Sequence, residues 1–218
     1  NAVCHALLDA GMKKGCNVAI LAFNEAQFIE LFLACSRIGV MLVPLNFRLV
    51  GRELEYQIDH SDSRMLFVGE EFLDTIQAIR PNLPQVKEYI VIGKNPENSG
   101  MKSYERFVSG KSNTRPSVPY EVGLDDEFLM IHTSGTTGRP KGAVLTQKNV
   151  LFTSLNQIVD FNFSTNDTHL TSAPLFHAAG CIIVTYALLM IGGKVVLMKN
   201  FNAKLAISLM ENEKVTIM

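Results

Sequence analysis

The sequence has no tryptophan and only four cysteines, Cys4, Cys16, Cys35 and Cys181. None of these shows C-x-x-C spacing or shares a motif with histidine of the kind a zinc or redox site needs. They read as buried thiols in a reduced, cytosolic setting. The five histidines are scattered, which gives no histidine metal cluster. Neither charge sign is in excess: 20 Lys and Arg face 21 Asp and Glu, for a net charge of −1. With no basic block there is no electrostatic footprint for nucleic acid, and with no charge run there is no solvated tail. Long apolar runs are missing too. The longest, residues 178–191, follows Pro174 and His177 and is too short to cross a bilayer, so a buried helix is expected there. The N-terminus carries no signal-peptide pattern, although a start at Asn1 leaves room for a trimmed leader. Repeats and low-complexity tracts are likewise absent.

What is present is enough apolar material for a large core, 47% of 218 residues. That length fits one large or two small domains. Helical and extended patterns alternate from the start. Residues 2–10 show helical spacing, 18–23 a buried strand, 25–38 an apolar helix, and 40–45 a strand leaving through Asn46. Helices over 52–59 and 71–79 then alternate with strands over 64–68 and 88–92. Strands separated by helices imply βαβ crossovers, hence an α/β fold with a parallel-rich sheet and helices on both faces. From 93 to 124 the pattern gives way to polar, Pro- and Gly-bearing stretches, with one helical segment at 104–108. The expected organisation is a first α/β portion over 1–92, a surface excursion over 93–124, and a second α/β portion over 125–218. In the last portion, helices are expected over 147–159, 178–191 and 202–212, and extended segments over 167–173, 194–198 and 215–218. The acids Asp125, Asp126 and Glu127 read as a solvated strand entrance rather than a metal site.

The stretch from Phe128 to Thr146 organises the chain. A short apolar strand, Phe128–Ile131, breaks into Thr133–Gly142, ten residues holding three glycines, four hydroxyl side chains, one proline and one lysine. Gly135, Gly138 and Gly142 lack Cβ, so backbone N–H groups can turn toward a bulky anion. Thr133, Ser134, Thr136 and Thr137 add hydroxyl donors, and Lys141 adds a full positive charge. The chemistry suits a polyphosphate. It is not a Walker A loop, which has glycine directly before the lysine and Ser or Thr directly after it; here Pro140 and Gly142 stand there. An ordinary surface turn of the same composition is the alternative reading.

The order Thr-Ser-Gly-Thr-Thr-Gly-Arg-Pro-Lys-Gly resembles the signature loop of the adenylate-forming superfamily, which includes acyl-CoA synthetases, luciferases and peptide-synthetase adenylation domains. His132 stands where that family usually has an aromatic residue, and is expected first to pack a strand end. Two further stretches resemble the family. Gly39–Asn46 is similar to its early strand motif, and Ala173–Gly180 to a motif in which a helix begins beside the acyl pocket. Asn46 and the Thr136-Thr137 pair lean toward acyl-CoA synthetases rather than peptide-synthetase domains.

The resemblance implies the large N-terminal domain of an acyl-CoA synthetase-like fold, in part. It implies ATP-dependent activation of a small-molecule carboxylic acid, fatty or related, to acyl-AMP, then thioester formation with coenzyme A. Lys141 and His177 become the expected catalytic residues, and Thr133, Ser134, Gly135, Thr136, Thr137, Gly138 and Lys141 the expected ATP contacts. The ligand for Mg2+, the adenine and ribose contacts and the small C-terminal domain are expected past Met218, so the 218 residues alone are expected to be inactive. A cytoplasmic enzyme is implied. A non-catalytic nucleotide-binding homologue, an interaction module that keeps the loop by descent, and an adenylate-forming enzyme with another acceptor fit the same residues.

Overall fold

The computed structural model describes residues 1–94, 99–133 and 139–218. The chain divides into two units, one of residues 1–22 and 27–147, the other of residues 23–26 and 148–218.

The first unit is a seven-stranded sheet. Its strands are β1 (Asn17–Leu21), β2 (Met41–Pro44), β3 (Ser63–Gly69), β4 (Glu88–Ile92), β5 (Lys102–Ser103), β6 (Glu127–Thr133) and β7 (Lys141–Thr146). They lie in the order β5-β4-β3-β1-β2-β6-β7. All neighbouring pairs are parallel except the edge pair β6–β7. The connecting helices are α1 (Ala2–Asp9), α2 (Ala26–Ile38, from Gln27 onward), α3 (Gly51–His60), α4 (Leu73–Ile79) and α5 (Tyr104–Val108). β1 lies inside the sheet because Val18–Leu21 are apolar on both pleat faces and fully buried. Ala19 and Leu21 pack with Leu54 and Ile58 of α3 and Ile76 and Ile79 of α4. Alternation turns Phe67 the other way, where its ring meets Tyr104 and Phe107 of α5. Helices therefore cover both faces, as the alternating pattern required.

The stretch read as a surface excursion is pinned to this core. Tyr104 and Phe107 are buried, and the Tyr104 hydroxyl donates to Glu30 of α2. The short β5 was not legible, since two residues carry no period. Asn46 shapes the exit from β2 as expected: its Oδ1 accepts the Arg48 N–H at 2.9 Å, a local turn that leads toward α3.

The second unit holds α6 (Gln147–Asp160, from Lys148 onward), β8 (Thr168–Thr171), a π-helix (Ala179–Tyr186), α7 (Ala187–Met190), β9 (Lys194–Leu197) and α8 (Ala203–Asn212). β8 and β9 pair in parallel, and past α8 the chain makes only an isolated bridge, His169 with Ile217, rather than a strand over 215–218. The expected helix over 178–191 is present but wound differently. Its first eight residues form the wider π-helix, and only the last turn is α. An element that is apolar all round has no stripe from which its winding could be read. Two side-chain hydrogen bonds tie it to its neighbours. Thr185 shares a 2.8 Å hydroxyl bond with Thr171, and Ser154 of α6 donates to the Ile182 carbonyl at 3.5 Å.

Candidate functional site

Parallel strands put their carboxyl ends at one edge of the sheet, where α/β proteins bind ligands. Thr133 closes β6 at that edge of the first unit, and the antiparallel β7 starts there with Lys141. Thr133 and Lys141 are direct cross-strand partners, and the Thr133 hydroxyl reaches the Lys141 carbonyl at 3.4 Å. Lys141 is exposed and makes no ion pair among the described residues. Ser134, Gly135, Thr136, Thr137 and Gly138, the remaining expected ATP contacts, lie outside the described residues. The hairpin base thus presents one hydroxyl and one ammonium that has no ion pair among the described residues.

Residues of α3 that the sequence did not single out hold the end of this loop. The Tyr56 hydroxyl donates to the Pro140 carbonyl at 3.2 Å, and the Arg139 guanidinium lies 5.8 Å from the centre of the Tyr56 ring. One turn on, His60 packs against Tyr56 at 5.4 Å and edge-on against His132 at 5.7 Å. The only signal available was the four-residue spacing of Tyr56 and His60, which places both on one helix face.

Gly142 has a different role from the one its composition suggested. It sits within β7, and a Cβ there would meet the Met130 Sδ at 2.7 Å, so the missing side chain makes room for Met130 rather than for an anion.

His132 packs at the strand end, as expected, and both its ring nitrogens are buried with no hydrogen-bond partner among the described residues. Burial, and secondarily the neighbouring His60, push its pKa down to about 4. The folded chain therefore holds His132 neutral where an unfolded chain, with a pKa of about 6.5, takes up a proton. Stability from this group is complete above about pH 6.5 and is lost as the pH falls toward about 4. Replacing His132 with Phe is expected to shrink the difference between melting temperatures measured at pH 7.5 and pH 5. An unchanged difference would mean that His132 is solvated and free to charge in the folded chain.

In the second unit, His177 lies on the turn between β8 and the π-helix. Its N–H donates to the Pro174 carbonyl at 3.1 Å, and its own carbonyl accepts from Gly180 and Cys181 at 3.0 and 3.1 Å. The Ala179 N–H donates to its Nδ1 at 3.2 Å. That bond assigns the proton of the neutral imidazole to Nε2, the nitrogen left to meet a ligand. The side chain is exposed. Gly180 is packed tightly on the same turn: a Cβ there would stand 2.3 Å from the Pro174 carbonyl oxygen.

The remaining candidates are structural. All four cysteines are free and buried, and burial pushes the Cys35 and Cys181 thiols far above their ordinary range, so neither is a thiolate near neutral pH. In the acidic trio, Asp126 pairs with Lys14 at 2.7 Å and accepts the Gly123 N–H at 2.8 Å. Among the described residues no group of three or more His, Cys, Asp or Glu could hold a metal ion, and no helix is long and apolar enough to cross a membrane.

The family model described as AMP-binding enzyme matches residues 1–218. The chain is 33% identical to a feruloyl-CoA synthase from an Amycolatopsis species over 97% of its own length and 39% of that protein's. It is also 33% identical to an indoleacetate–CoA ligase from Aromatoleum aromaticum, over 97% of this chain and 41% of that one. Among solved structures it is similar to an anthranilate CoA ligase in complex with anthranoyl-AMP, with a TM-score of 0.92 and 27% identity over 99% of this chain and 42% of that one. The chain thus spans about two fifths of the length of these relatives. A family match along the whole chain, with the same fold in a CoA ligase, makes this chain a member of the AMP-binding enzyme family.

Proposed function

We propose that the complete protein activates a small-molecule carboxylic acid with ATP and passes the acyl group to coenzyme A, and that the 218 residues alone do not. The observation that carries this reading is the hairpin base, where Thr133 and an exposed Lys141, with no ion pair among the described residues, flank Ser134–Gly138 in the sequence. The names of the relatives, CoA synthases and ligases for carboxylic acids, support the reaction class.

The chemistry runs in two steps. A carboxylate oxygen bonds to the α-phosphorus of ATP as the bond from that phosphorus to the pyrophosphate oxygen breaks, giving acyl-AMP and pyrophosphate. The thiolate of coenzyme A then bonds to the acyl carbon and AMP leaves. In the first step charge builds on the departing pyrophosphate. Lys141 and the hydroxyl groups of the loop sequence donate to that charge. One unit-charge contact at about 4 Å contributes roughly 1 kcal/mol in water and about 4 kcal/mol at a surface-like effective dielectric, so Lys141 supplies part of the acceleration and not all of it. His177, with Nε2–H as donor, orients the attacking carboxylate. Mg2+, when bound, would offset phosphate charge; none of the described side chains is assigned to it.

Carboxylate-dependent exchange of labelled pyrophosphate into ATP tests the reading. The complete protein is expected to catalyse it, and the isolated 218 residues to give no signal. Nucleotide binding without exchange by the complete protein would replace the enzyme with a nucleotide-binding homologue.

A further inference from the structure

Asn24 has no part in the chemistry described so far, yet it is 5% exposed and all its side-chain hydrogen-bonding groups are engaged. Phe23–Ala26 follows β1 and belongs to the second unit. There the Asn24 Nδ2 donates to the Ala173 carbonyl at 3.0 Å and the Met198 carbonyl at 3.1 Å, with a longer approach to Thr171 at 3.4 Å. Its Oδ1 accepts the Leu175 N–H at 2.8 Å, and its backbone N–H reaches the Lys199 carbonyl at 3.4 Å. The network permits only one orientation of the amide, since carbonyls face one atom and an N–H faces the other.

These partners are not scattered. Thr171 ends β8, Met198 directly follows β9, and Ala173 and Leu175 begin the turn that carries His177. From the other side, Gly180 closes on the Pro174 carbonyl, and the His177 N–H donates to that same oxygen. A buried amide engaged wholly with one strap of backbone gives that strap a single position.

We propose that Asn24 is a positioning residue for the acid-binding side of the site, holding the Ala173–His177 turn against the ends of β8 and β9. The inference rests on the reading of that turn as the place where the carboxylate is met. A displaced turn misplaces the carboxylate that it meets, and a misplacement of about 1 Å is enough for a loss on the order of 100-fold.

The test uses the full-length protein, with pyrophosphate exchange measured while acid and ATP are varied separately. Asn24→Ala is expected to lower kcat/KM for the acid about 10- to 100-fold and to leave KM for ATP within about twofold. Equal losses toward both substrates, or no loss, would overturn the proposal, because a role confined to folding cannot choose between them. His177→Ala, run beside it, tests the underlying reading separately. If that variant is fully active the imidazole has no role, while an acid-selective loss in Asn24→Ala still supports the positioning of the turn.

Where Asn24→Ala does not fold, Asn24→Asp serves. It keeps the acceptor for Leu175 but sets a carboxylate against three carbonyl oxygens. Protonation restores a donor, so its activity relative to wild type is expected to rise as the pH is lowered from about 8 to about 6. A flat ratio would overturn the proposal.

Discussion

Replacing Lys141 with alanine in the complete protein is expected to slow acyl-adenylate formation about 10- to 150-fold and to leave thioester formation from supplied acyl-AMP near the wild-type rate. The figure corresponds to losing one charge-assisted contact, about 1.5–3 kcal/mol. Lys141 stands at the hairpin base opposite Thr133, exposed, with no ion pair among the described residues. Among the described residues, therefore, its removal leaves no carboxylate unpaired. The charge that Lys141 meets is there while ATP is bound and grows as the bond to pyrophosphate breaks. In the second step pyrophosphate has left, and the reacting atoms are the acyl carbon and a sulfur. An interaction stronger in one transition state shows in that step alone. The two half-reactions are measured separately, as carboxylate-dependent pyrophosphate exchange and as the reaction of synthetic acyl-AMP with coenzyme A. Equal losses in both would mean that Lys141 acts through the shape of the hairpin and not through phosphate.

Phe128→Ala is expected to have the largest effect on stability, about 3–5 kcal/mol. Phe128 is fully buried near the start of β6, and its ring meets the Phe32 ring of α2 edge-on, at 4.7 Å and 68°. Truncation removes the burial of an aromatic side chain and leaves a cavity between sheet and helix that neither element can collapse to fill. For a unit of this size the melting temperature should fall by roughly 6–20 °C. Phe128→Leu, which keeps most of the volume, is expected to cost less than about 1.5 kcal/mol. Differential scanning calorimetry of both variants makes the comparison. A fall of only a degree or two for Phe128→Ala would mean that β6 melts independently of the core it is drawn from.

The rest of the fold divides by how local its causes are. The strand Glu88–Ile92 and the helix Tyr104–Val108 have the same bounds in the structure as in the sequence, and the helix and strand around Ile38 and Met41 nearly so. Their signals are runs and periods of a few residues, and burial follows directly from them. The strand that ends at Thr133 was legible for the same reason, and the structure adds a second strand from Lys141. Residues Ser134–Gly138 remain a proposal from sequence.

Other features needed residues distant in the chain to meet. Tyr56 holds Pro140 across 84 positions, and Asn24 reaches Met198 across 174. No window of sequence contains both members of such a pair. Gly142 shows the same limit in a single residue: composition linked it to an anion, while its neighbour in space, Met130, accounts for it by packing.

The sequence by itself thus determined the alternation of helices and strands, the parallel-rich α/β class, the buried thiols and the chemistry offered by Thr133 and Lys141. Each of these follows from residue type and local order. Only the tertiary structure decided that β6 and β7 oppose Thr133 to Lys141, that the apolar run after His177 winds first as a π-helix, and that one buried asparagine holds the turn before it. Those outcomes depend on which backbone carbonyls and hydroxyls come within about 3 Å of one another, and the folded chain alone sets those distances.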